Sequence, residues 1–183
     1  MSNSSGSATA EKPPHFPRRS IIQDGKGPER GFTFWLSTWW PVVVAIGVIA
    51  LESTPWGGAD HTSGPLRSIY EFFFGPVADE RWEHIHHYTR KTGHFVGYGF
   101  LCLTWLRALR LSFPKFSFIK YAEFAVLGTG IVAAVDEFHQ HFLPNRGSSP
   151  WDVLLDCCGA AFMCIAVWAV LYAIRHQPPG QPK

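Results

Sequence analysis

Apolar residues in this chain are gathered into runs separated by polar and charged stretches. Each run can be measured against the roughly 20 apolar residues that a membrane-spanning helix needs. The first, WLSTWWPVVVAIGVIAL at 35–51, follows a long polar leader and has no small-residue cleavage site behind it. It predicts a retained span over about 34–51 instead of a signal peptide, with Pro41 near its start, where a helix tolerates proline, and Trp35, Trp39 and Trp40 suited to an interface belt. A second span is predicted from about Gly93 to Leu109 and a fourth from about Trp151 to Ile174. The third, about Phe118 to Phe142, has only FAVLGTGIVAAV free of charge and reaches spanning length with its polar ends. The fold class is therefore all-α, an integral membrane protein of four spans.

The stretch from Glu52 to Thr92 is too long for a simple connection, and its SIYEFFFGPV segment is rich in aromatic residues. It predicts a partly helical segment lying in the headgroup region between the first and second spans; the alternative is a solvated loop with a few packed aromatics. The chain divides into an N-terminal tail over 1–33, a transmembrane domain over 34–174 and a C-terminal tail over 175–183. Neither tail has the apolar content to build a core, so both are expected to be disordered.

Charge sets the direction. The N-tail, the loop between spans two and three, and the C-tail hold 11 of the 16 Lys and Arg, which predicts that both termini face the cytoplasm of a bacterial inner membrane. Mean hydropathy is only +0.01, a value that alone would suit a soluble domain, because polar tails dilute the apolar runs. The basic tail suits anionic lipid better than nucleic acid. Cys102, Cys157, Cys158 and Cys164 all lie in apolar segments without paired metal-ligand spacing and read as small packing or lipid-side residues.

With four spans, the start of the second, the end of the third and the start of the fourth meet at the outer face, and they carry most of the unusual polar residues. Arg90, His94 and Tyr98 stand four apart on one helical face, with Lys91 beside them. Asp136, Glu137, Gln140 and His141 follow an apolar run, and Asp152 and Asp156 are again four apart. An ionisable group inside a span costs about 2.5–3.5 kcal/mol, so such residues are either paired or functional. Two pairings are available: Arg146 with Asp152 or Asp156, and Arg90 with Glu137. Asp152 also suits the first turn of a helix as a cap, and Asp136 and His139 could simply face headgroups. EHIHH at 83–87 and the His139/His141 pair lack a recognised ligand spacing, so no metal and no cofactor is expected.

RKTGHFVGYGFL at 90–101 and DEFHQHFLPNRGSSPWDVLLDCCGA at 136–160 resemble the two signature blocks of VanZ-like membrane proteins. The first block is matched by Lys91, His94 and Tyr98. The second is matched by Glu137, Gln140, Phe142, Pro144, Arg146, Ser149, Asp152, Asp156 and Gly159, with Asn145 where a glycine is usual. The resemblance covers about 35–174 and implies a multi-pass envelope protein of a family named for low-level teicoplanin resistance. Three functions stay open. In the first, Arg90, Lys91 and Arg146 hold an anionic lipid-linked or envelope-related ligand at the outer leaflet, with Glu137, Gln140, Asp152 and Asp156 orienting those cations. In the second, a membrane-embedded enzyme uses His94 or Glu137 as general base on a lipid-linked phosphate or glycan. In the third, the cluster is internally paired in a structural or partner-binding subunit.

Overall fold

The computed structural model describes residues 31–143 and 148–176, and every regular element among them is a helix. In chain order these are α1 (Phe32–Glu52), a single 3₁₀ turn (Pro55–Gly57), α2 (Ala59–Phe74), α3 (Asp79–Ser112), α4 (Phe118–His141) and α5 (Pro150–Arg175). The expected tails, apart from a few residues next to α1 and α5, lie outside the described residues, as do Pro144, Asn145 and Arg146.

Three helices, α1, α4 and α5, are long and apolar enough to cross a membrane. What they bury explains how they pack. Large apolar side chains such as Phe100, Leu127, Ile131, Val135, Ile165 and Val170 stay exposed, while Ala108, Ala125, Ala133, Ala160, Cys102, Cys164, Thr38 and Thr129 fill the interior. Small residues are frequent at these contacts, beside larger ones such as Leu101, Leu106, Leu109 and Tyr98, and bulky ones cover the outside, as in helices that associate by close packing in lipid. The approach is tightest between α3 and α5: a Cβ on Gly159 would overlap the Phe95 carbonyl oxygen, and one on Gly99 would lie 2.8 Å from Met163 Cγ. Cys102 and Cys164 meet across the same seam, both as free thiols.

The central helix α3 packs against α1, α4 and α5. It is apolar only from about Gly93 onward, and His94, Arg107 and Arg110 interrupt that stretch. Its first 14 residues extend the helix well before Gly93, where the apolar pattern begins. They are polar, but Trp82 and His86 stand one turn apart and form a buried stripe against α2. Trp82 Nε1 donates to Ser63 Oγ (2.7 Å), His86 Nε2 lies 3.2 Å from Thr62 Oγ1, and the Trp82 and His86 rings stack. The turn between α2 and α3 is clamped by Arg67, which donates to Glu71, Asp79 and the Val77 carbonyl. At the same turn Gly75 takes φ 83, which a side chain would disfavour.

With α1 beginning at Phe32, Pro41 sits in the third turn and not near the helix start. Proline has no N–H, so the Ser37 carbonyl loses its helical donor, and the ring distorts the turn around it. Arg107 of α3 covers the gap: its guanidinium donates to the Thr38 carbonyl at 2.9 Å and lies 3.5 Å from that of Ser37. Freed carbonyls in an apolar medium need such partners.

Candidate functional site

The C-terminal ends of α1 and α4, the middle of α3 and the start of α5 converge at one end of the bundle. The helical spacing read from the sequence holds on α3, where the His94 and Tyr98 rings stack 6.0 Å apart. Lys91 forms an ion pair with Asp152, which stands in the first turn of α5. Arg90 is half-buried, and no acid among the described residues lies within ion-pair distance of it.

On α4, Asp136, Glu137 and Gln140 are buried, whereas His139 and His141 are exposed. Asp136 belongs to the site and does not face headgroups. Its Oδ2 accepts from Tyr98 Oη at 2.9 Å and from Gln140 Nε2 at 2.8 Å. The sequence held the clue, since Asp136 and Gln140 are four apart and share a face. Glu137 accepts the Ser149 backbone N–H at 2.9 Å, so it lies at the N-terminus of α5 instead of against Arg90. Ser149 is the N-cap of that helix, and a carboxylate there is electrostatically favoured. His139 Nδ1 lies 3.1 Å from Ser53 Oγ, which joins the ends of α1 and α4.

Asp156 is one turn deeper than Asp152 and 1% exposed. Neither of its carboxylate oxygens has a hydrogen-bond partner among the described residues. The nearest group is His94 Nδ1, 3.6 Å from Oδ1, and that nitrogen too is buried without a bond. Closing this gap by a few tenths of an ångström would let the acid accept Nδ1–H, fix the ring's tautomer and leave the other nitrogen as a proton acceptor. His94 and Tyr98 line a narrow cleft of about 20 Å³ between α1, α3 and α4, with Asp136, Gln140 and Ser53 on its other walls. That is room for a single water in a polar setting. Gly93 and Gly97 form its α3 side, and a Cβ on either would meet nothing within 4 Å.

Lys91, His94, Tyr98, Glu137, Gln140, Asp152 and Asp156 are thus brought to one end, with Arg90 at the edge, while Arg146 lies outside the described residues. Among the described residues no three His, Cys, Asp or Glu side chains form a metal-binding group. The residues so assembled fall in the two sequence blocks, and comparison with known proteins covers the same stretch. The family model described as VanZ/LLP1 matches residues 38–172. No curated protein and no solved structure matches the chain. With well over half its length matched, the chain belongs to the VanZ/LLP1 family of membrane proteins.

Proposed function

We propose that the chain spans the bacterial cytoplasmic membrane four times and binds an anionic, lipid-linked envelope ligand at its outer end. In this reading α3 carries the second span in chain order, beside the three apolar helices, α2 lies in the headgroup region and both termini are cytoplasmic. Two features support it: α3, about 50 Å long, exceeds the roughly 30 Å hydrocarbon core, and three apolar helices flank it. Phe72, Phe73 and Phe74, all exposed at the end of α2, suit an interfacial position.

The observation that carries ligand binding is the state of the cations. Arg90 has no acid within ion-pair distance among the described residues, and Lys91 keeps a third of its side chain exposed while paired with Asp152. A phosphate can therefore compete for Lys91 and take Arg90 bidentately. Arg146, two residues before Ser148, would complete the cation set, with Asp152 holding Lys91, while Glu137 and Gln140 hold the Ser149 N–H and Asp136 instead of a cation. The test is thermal unfolding of the full-length protein in nanodiscs with and without a polyprenyl monophosphate. The lipid should raise the midpoint of the wild type and of Asp152→Asn, but not of Arg90→Gln/Lys91→Gln. Equal shifts in all three, or none in the wild type, would sink the reading.

The His94–Asp156 pair favours a second reading, in which the same site hydrolyses the bound phosphate ester or diphosphate. His94, oriented by Asp156, would take a proton from water as its oxygen attacks phosphorus and the bond to the leaving oxygen breaks. Phosphate release from polyprenyl diphosphate in vesicles, abolished by His94→Asn with lipid binding retained, supports catalysis. Binding without release in the wild type leaves binding alone.

A further inference from the structure

A second site lies at the far end of the bundle. Arg110 is 16 residues along α3 from His94, so the two ends of the bundle are about 24 Å apart. There the last turn of α3, the start of α4 and the last turns of α5 enclose a groove of about 430 Å³, within the range of small-molecule sites. Arg110, Arg175 and His176 line it, and no acid among the described residues does. The one acid along residues 107–123 and 165–176 is Glu123, which is not in the wall. A further cation, Lys120, sits over the Phe116 ring that forms part of the groove.

An arginine in the last turn of a helix ordinarily complements the negative end of the helix dipole, and each of these two does so. That accounts for one charge per helix end. It does not account for two arginines from different helices facing one groove without a counter-charge among the described residues, nor for the wall between them. Trp168 and Tyr172 form that wall, their rings stacked 5.5 Å apart. With Ile165 they follow one exposed face of α5, an apolar track running from mid-helix to the arginines. An apolar track ending in a cationic mouth matches a molecule that is apolar at one end and anionic at the other.

We propose that this groove binds a phosphate-bearing anion. The arginines hold the phosphate and the Trp168–Tyr172 wall takes the attached apolar portion. The source is either the headgroup of an anionic phospholipid in the adjoining leaflet or a soluble phosphate compound. The site is independent of which side of the membrane this end faces, and of the ligand at the other end.

Native mass spectrometry of the delipidated full-length protein in detergent tests it. The probes are phosphatidylglycerol, phosphatidylcholine of the same chains, and inorganic phosphate. Phosphatidylglycerol should bind at least about tenfold more tightly than phosphatidylcholine, and Arg110→Gln/Arg175→Gln should remove that preference. Arg81→Gln/Lys115→Gln, with the same loss of charge at exposed positions outside the groove wall, should keep it. Retention of inorganic phosphate without any lipid preference, again lost in the double arginine variant, assigns the site to a soluble phosphate. Both arginines are exposed, so an unchanged melting temperature is expected and separates lost binding from lost folding. The proposal is overturned if the double arginine variant binds as the wild type does, or if neither the anionic lipid nor phosphate is preferred.

Discussion

A carboxylate with 1% of its surface exposed and two oxygens lacking donors among the described residues costs the fold free energy that a neutral amide of the same shape would not. Asp156→Asn should therefore raise the melting temperature, by about 2–4 °C for each kcal/mol recovered in a chain of this size, while abolishing whatever His94 does. A fall in melting temperature would mean that the charge is satisfied by a group beyond the described residues. Asp136 predicts the opposite behaviour because its bonds are made. Tyr98→Phe removes a donor to a buried carboxylate and should cost about 1–3 kcal/mol, seen as a lower unfolding midpoint in detergent. At this scale the sequence was informative where helical spacing applied, as with His94 and Tyr98. It was silent where a partner came from another helix: nothing local marks Lys91 for Asp152, or Glu137 for the Ser149 N–H.

Among the elements, α1 and α3 are tied by a defect and its repair. Arg107 counts as one more positive charge in a tally of loops, yet it donates to α1 beside a carbonyl that Pro41 leaves without a helical donor. Arg107→Leu should destabilise the protein. Pro41→Ala, which restores the N–H, should recover part of that loss, so the double variant should melt above Arg107→Leu alone. A strictly additive cycle would show that the arginine does not compensate for the proline. The packing of α2 on α3 makes a pH-dependent contact. Burial, and then the positive charge of Arg90 one turn on, lower the pKa of His86 from its ordinary 6.5, so the folded ring binds a proton less readily than the unfolded one. A group that binds a proton less readily when folded contributes stability that is fully present above 6.5 and is lost as the pH falls through that value toward the lowered one. His86→Phe should therefore shrink the drop in melting temperature between pH 7.5 and pH 5. This hairpin was the least legible part of the chain. A hydropathy reading starts α3 at Gly93 because residues 79–92 are polar, and two buried positions, Trp82 and His86, are too few to show a period against that background.

Across the whole molecule, the three helices that a membrane would accept on length and apolarity are three of the four read from the sequence, and the fourth, α3, is the one that carries the site. The two facts have one cause. A helix that places Arg90, Lys91, His94 and Tyr98 at one end and Arg107 and Arg110 at the other cannot also be uniformly apolar, so it stays in a bilayer only if other helices surround its polar face. Its packing against α1, α4 and α5 meets that condition. The proposed topology rests on the distribution of charge and can be measured. Ser112, buried and accepting from Trp39 Nε1, is a poor reporter of the loop after α3, whereas Lys115 is exposed and Ser148 lies beside the polar site. In a background without the four native cysteines, Ser148→Cys should react with a membrane-impermeant maleimide added to intact cells, and Lys115→Cys only after permeabilisation. Labelling of both from outside would put the two ends of α4 on one side, so that α4 would not span and the four-span topology would fail. Labelling of Lys115→Cys alone would invert the protein and place the Lys91–Asp152 end against the cytoplasmic leaflet, where no outer-leaflet ligand could reach it.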